Sequence, residues 1–101
     1  MAVGYQFQCN DKTWKKKPRL YLNSREIIAP TKHNFSLIVD YTDHIVSEKI
    51  LVRGTWEPQI HLLISKLVKP NQIVLNLGAQ LGEEAILMGK LMEGKGKIYA
   101  F

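Results

Sequence analysis

Cysteine is nearly absent. Cys9 stands alone, which excludes an internal disulfide and fits a reducing compartment. Long hydrophobic runs are absent too. No stretch approaches the roughly 20 residues of a membrane span, and Met1–Asn10 lacks the long apolar segment of a secretory signal. These absences predict a soluble, cytoplasmic chain with no membrane segment. The histidines, His33, His44 and His61, stand far apart without ligand spacing, so with one cysteine no metal site is expected. There is no internal repeat and no low-complexity tract.

What is present fits a small globular protein. The 101 residues are 46% hydrophobic and 23% charged, a balance that excludes a disordered chain and allows one small core. The net charge of +5 is local. Residues 11–25 carry Lys12, Lys15, Lys16, Lys17, Arg19 and Arg25 against Asp11, and the rest of the chain is balanced. The basicity therefore belongs to a short N-terminal stretch. A solvated tail accounts for it, with contact to nucleic acid or an anionic membrane surface as the functional alternative.

Residues 1–34, with Pro18 and Pro30, the lysine run and two apolar patches at Leu20–Leu22 and Ile27–Ala29, are expected to be an irregular basic segment; the regular fold is expected over 35–101. Phe35, Leu37, Val39 and Tyr41 recur with a period of two and predict a strand, although Ile38 breaks the alternation. His44–Arg53 fits a short helix with Asp43 or Ser47 as N-cap and Gly54 as the stop. Pro58–Val68 is a stronger helix. Pro58 suits a first turn, Glu57 complements the helix dipole, and Ile60, Leu63, Ile64 and Leu67 predict one buried stripe with His61 on the polar side. Pro70 ends it.

Ile73–Leu77 is a short apolar run led by β-branched residues, which predicts a strand buried on both faces as in a parallel sheet. A loop follows at Gly78–Gly82. Next come a helix opened by Glu83 and Glu84 with Ala85, Met88, Gly89 and Met92 on one face, a stop at Gly94 and Gly96, and a strand at Lys97–Phe101. That order is one βαβ unit with a right-handed crossover, and a ligand belongs at the carboxyl end of its first strand.

The loop Asn76-Leu77-Gly78-Ala79-Gln80-Leu81-Gly82 carries the chemistry. Gly78 allows a sharp turn and close approach of a ligand, Gly82 would let the helix start pack tightly on the strand, and exposed N–H groups there suit polar or anionic ligand groups. A phosphate-cradling P-loop needs Gly-Lys-Ser/Thr, and Gly82 is followed by Glu83-Glu84. A dinucleotide fingerprint needs glycine where Gln80 stands, which argues against a nicotinamide-dependent oxidoreductase. The remaining G-x-x-x-G is weak by itself, and a merely structural β–α turn explains it equally well. The pairs Asp40/Asp43 and Glu83/Glu84 are explained by a turn and a helix start rather than by acid–base work.

Context adds to the loop. Gly54-Thr55-Trp56-Glu57-Pro58, then Val68-Lys69-Pro70, then Val74–Gly82, then Gly96-Lys97-Ile98-Tyr99-Ala100-Phe101 occur in order over about residues 43–101. As a set they resemble FkbM-type methyltransferases. That family has a G-x-[aromatic]-E-P segment, a K-P turn, a V-[ILV]-D-[ILV]-G-A-N-x-G loop and a strand ending A-F-E-P. The resemblance implies an α/β, partial Rossmann-like methyltransferase fold, one βαβ unit plus a preceding strand and helices. It also implies S-adenosylmethionine as cofactor and methyl transfer to a hydroxyl oxygen of a small-molecule or glycan acceptor. By the same resemblance, Asn76, Gly78, Ala79, Gln80 and Gly82 line the methionine part of the cofactor, and Glu57 matches the family's acidic residue. Three departures stand out. Asn76 replaces the usual Asp, Gln80 replaces Asn, and Phe101 is the last residue where the family continues with a ribose-binding acid. The expectation is an N-terminal fragment, inactive alone. The alternative is a non-catalytic ligand-binding or interaction module derived from a methyltransferase.

Overall fold

The computed structural model describes residues 12–101. Cys9, Asp11 and the Met1–Asn10 start lie outside the described residues. The chain is α/β and divides into two compact units, one ending at Pro58 and one running from Gln59 to Phe101.

The first unit is built on an antiparallel sheet. A 3-10 turn at Lys12–Lys16 leads into β1 (Leu20–Tyr21), β2 (Glu26–Pro30) and β3 (Ser36–Asp40), in the order β1-β2-β3. The irregular segment expected over 1–34 is thus corrected: it contributes the central strand. In the β2–β3 register Ile27 opposes Val39 and Ala29 opposes Leu37. These four residues share the inner face and are all buried. Ile38 points to the other face and is 54% exposed, so the alternation in β3 holds after all. The hairpin turns through Asn34, whose φ of 62° is the left-handed conformation that asparagine tolerates. Thr31 closes it, donating both its N–H and its hydroxyl to the Phe35 carbonyl.

Helix α1 (Val46–Arg53) packs on β2 with Ser47 and Ile50 buried. It is entered through a turn at His44–Ile45, so its N-cap is Ile45 and neither Asp43 nor Ser47 as the spacing suggested; the Asp43 carboxylate braces that turn from upstream. One oxygen accepts from the Ile45 N–H at 2.9 Å and the other from the Ser47 N–H at 3.2 Å. Gly54 ends the helix at φ 76°, its N–H donating to the Ile50 carbonyl. Trp14, 1% exposed, lies against Gly54, and the Arg19 guanidinium sits 5.6 Å from its ring centre.

Two carboxylates of this unit set a pH dependence. Asp40 accepts from the Thr42 hydroxyl and N–H and pairs with Arg25 at 2.6 Å, which together hold its pKa down to about 2. The backbone N–H groups of Ile45 and Ser47 lower that of Asp43. Both groups bind protons less readily folded than unfolded. Their contribution is therefore present above the ordinary carboxylate pKa of about 4 and is lost as the pH falls toward 2. Acid titration of thermal stability is expected to show a loss across that window that flattens in Asp40→Asn. An unchanged acid limb in the variant would remove Asp40 as its source.

The second unit is a βαβ unit preceded by a helix. Helix α2 (Pro58–Leu67) starts at the proline as expected, and the Gln72 side chain ties off its end, accepting from the Lys69 N–H and donating to the Leu67 carbonyl. Strand β4 (Gln72–Asn76), helix α3 (Glu83–Leu91) and strand β5 (Gly96–Ala100) follow, β4 and β5 pairing in parallel from Gln72↔Gly96 to Asn76↔Ala100. Leu87, Met88 and Met92 are buried, and Gly89 approaches Ile98 on the sheet.

Burial in this unit departs from the sequence pattern twice. β4 is not covered on both faces: Ile73 is 72% exposed, Leu75 65% and Leu77 75%, while Val74 and Asn76 on the other face are partly covered. Among the described residues of this unit only one layer of helix backs the two strands. The α2 stripe is not buried either; Ile60, Leu63 and Leu67 are exposed and Ile64 half-buried, whereas His61, expected on the solvated side, is fully buried. The helix turns its polar residue inward because α3 offers carboxylates there. No helix among the described residues is long and apolar enough to cross a membrane.

Candidate functional site

The bend at the end of β4 stands where the spacing placed it. Gly78, Gln80 and Gly82 adopt φ of 76°, 50° and 87°, so three residues within five are left-handed, one of them not a glycine. The bend is tied to the end of β5. The Gly78 and Ala79 N–H groups donate to the Phe101 carbonyl at 2.9 and 2.8 Å, and the Phe101 N–H donates to the Asn76 carbonyl at 2.9 Å. Gly82 donates to the Ala79 carbonyl, and the Gly82 carbonyl accepts the first helical bond of α3 from Ile86.

Two expectations change on this geometry. Gly82 does not serve close packing of helix on strand, because a Cβ at Gly78 or Gly82 would meet nothing within 4 Å. Both glycines are there for backbone conformation, and the space over the loop is open. The N–H groups expected to face a ligand are partly taken, since those of Gly78, Ala79 and Gly82 are bonded within the protein. Those of Gln80 and Leu81 have no acceptor among the described residues. Asn76, partly buried at the carboxyl end of β4, adds a side-chain amide nitrogen that is buried with no partner among the described residues. A buried unpaired amide costs on the order of 1–3 kcal/mol, and a polar ligand group at the strand end would remove that cost.

Glu83 and Glu84 open α3 and face His61. The imidazole Nδ1 lies 3.6 Å from a Glu83 carboxylate oxygen and Nε2 lies 3.4 Å from one of Glu84. Glu83 is 2% exposed and His61 is fully buried. The two carboxylates therefore hold a histidine as well as complementing the helix dipole. His61 precedes Glu83 by 22 positions, and nothing in the local pattern announces the pairing. Glu57, partly exposed, sits in the turn before α2 and belongs with the unit that ends at Pro58.

The basic stretch is engaged in the fold of the first unit. Lys17 donates to the Asn34 side chain, Arg19 to the Leu51 carbonyl, and Arg25 pairs with Asp40. Among the described residues three of these cations thus have protein partners, and Arg25 alone of the three is paired with a carboxylate. His33, buried in this unit, has its Nε2 3.3 Å from the Thr55 hydroxyl.

No protein-family model matches the chain, and no curated protein or solved structure matches it significantly.

Proposed function

We propose that this chain carries the cofactor-binding βαβ unit of a Rossmann-like, S-adenosylmethionine-dependent methyltransferase of FkbM type. The observation that supports the reading most is the left-handed Gly78–Gln80–Gly82 bend at the carboxyl end of a parallel strand, opening on a helix start beside the unpartnered Asn76 amide. In open α/β sheets ligands bind at that strand end. The ordered motif set from Gly54 to Phe101 supports the same reading.

The residues fit the amino-acid end of such a cofactor. The Asn76 amide would bind it with either its nitrogen or its oxygen, since the two are assigned by their surroundings. The free N–H groups of Gln80 and Leu81 would take its carboxylate, and Gly78, Ala79 and Gly82 would form a wall without side chains. Glu57 is assigned by resemblance alone. When bound, the cofactor supplies a sulfonium methyl group for a nucleophilic acceptor oxygen, and the chain's part is to hold that methyl in line with a small-molecule or glycan hydroxyl.

Calorimetric titration tests the proposal. Weak binding is expected, between about 10 μM and 1 mM, because an amide replaces the carboxylate and β4 is backed on one face. Asn76→Asp is expected to tighten binding by about tenfold, since a charged hydrogen bond is roughly twice as strong as a neutral one. No heat with S-adenosylmethionine for either protein sinks the reading, and heat with NAD alone redirects it to an oxidoreductase. Asn76 also favours a second reading, a non-catalytic ligand-binding or interaction module derived from a methyltransferase. That reading predicts no gain from Asn76→Asp.

A further inference from the structure

Among the described residues the second unit leaves two apolar surfaces without a partner. In the parallel register Ile73 lies beside Lys97 and Leu75 beside Tyr99. The outer face of the sheet therefore carries Ile73, Leu75 and Leu77 in one row and Tyr99 and Phe101 in the next. These are 72%, 65%, 75%, 47% and 73% exposed. The other surface is the α2 stripe, where Ile60 is 39%, Leu63 53% and Leu67 61% exposed. Parallel strands are otherwise covered by helices on both faces, and a two-stranded sheet is marginal by itself. What the bare sheet face lacks is an apolar helix, and what α2 lacks is an apolar sheet.

We propose that two copies of this chain form a closed two-fold pair in which the α2 stripe of each copy seats on the bare β4–β5 face of the other. The area is sufficient. With roughly 200 Å² for a fully exposed large apolar side chain, these exposures leave on the order of 1000 Å² per copy. A stable interface buries roughly 800 Å² per partner. The two surfaces match in kind, an apolar helix stripe and an apolar sheet face, and in a closed two-fold pair each contact is made twice. The pairing is independent of whether the Gly78–Gly82 loop binds a cofactor.

Sedimentation equilibrium on the full chain at up to roughly 200 μM, where an interface of this size associates, is expected to give a monomer–dimer equilibrium. Leu75→Lys on the sheet and Leu67→Lys on α2 replace exposed side chains, so circular dichroism should report an unchanged fold. Each is expected to weaken dimerisation by at least about thirtyfold, the effect of losing a central anchor. Ile38→Lys, at an equally exposed position on the antiparallel sheet, should leave it unchanged. The discriminating measurement mixes the two lysine variants with different fluorophores. One of the two contacts survives in a mixed pair, so energy transfer should exceed that of either variant alone. A wild-type monomer throughout the range overturns the proposal. So does sensitivity to Leu75→Lys without sensitivity to Leu67→Lys, which would mean that the sheet faces meet each other. Binding to anionic vesicles through Leu75 and Leu77 without self-association overturns it in favour of a lipid surface.

Discussion

Gly96→Ala is expected to destabilise the βαβ unit by about 3 kcal/mol, combining backbone strain and overpacking at one position. Gly96 opens β5 at φ 141°, a conformation that side-chain-bearing residues rarely adopt. A Cβ there would stand 2.6 Å from the Gln72 carbonyl oxygen and 2.8 Å from the Met92 sulfur. The methionine can swing away. The Gln72 carbonyl cannot, because Gln72 is the register partner of Gly96 and begins the ladder. Gly94→Ala is the control. Its φ of 76° is also left-handed, but a Cβ would meet nothing within 4 Å, so only the conformational cost of about 1–2 kcal/mol applies. Urea unfolding followed by hydrogen exchange in β4 and β5 should separate the two variants clearly. Equal losses would show that contact with Gln72 contributes nothing.

Trp14→Ala is expected to cost about 3–5 kcal/mol, the range for truncating a buried aromatic, and so to unfold much of the first unit. Trp14 is 1% exposed although it sits among the lysines that read as a solvated tail. Its ring lies where a Cβ on Gly54 would come within 2.8 Å, so Gly54 serves both the left-handed end of α1 and the tryptophan's seat. A double-mutant cycle tests that link. Gly54→Ala should be markedly less harmful in the Trp14→Ala background than in the wild type, leaving the cost of its φ of 76° and of shifting the flexible Lys32 side chain, 2.9 Å from the new Cβ. Additive losses by chemical denaturation would place the ring and the glycine in separate networks, and a Trp14→Ala loss below about 1 kcal/mol would return the segment to the surface.

These two residues show where pattern reading succeeds and where it stops. Gly54 is legible as a helix stop because a left-handed terminus is a local matter between a few consecutive residues. Trp14 as a core residue is not, because nothing within its own segment reveals that Gly54 comes to lie against it. The same division runs through the candidate site. Glu83 and Glu84 are legible as the opening of α3, and the bend after Asn76 as a loop that needs glycine. The neutral Gln80 at φ 50° and the Phe101 carbonyl that takes two loop N–H groups are not. The second follows from how β5 returns beside β4.

β2 is the largest element missing from the sequence reading. Ile27 and Ala29 span too short a run, bounded by Pro30, to signal a strand alone, and they become one when Val39 and Leu37 pair across from them. His61 is the complementary case. Its helical spacing puts it opposite the apolar stripe, and the inference that the stripe is buried follows only if the neighbours are apolar. The neighbours that arrive are Glu83 and Glu84, so the polar side goes in and the leucines stay out.

By itself the sequence determined the order of elements from Ser36 onward, the helix starts at Pro58 and Glu83, the glycine stop of α1 at Gly54, and the glycine bend that ends β4. Each is fixed by short-range sterics and by hydrogen bonds between near neighbours. Tertiary structure alone decided which side of α2 is covered, that β4 is backed on one face, and that a lysine-rich segment supplies a buried tryptophan and a central strand. Burial is a property of the surface that arrives from elsewhere in the chain, and hydrophobic attraction carries no direction that a single segment could encode.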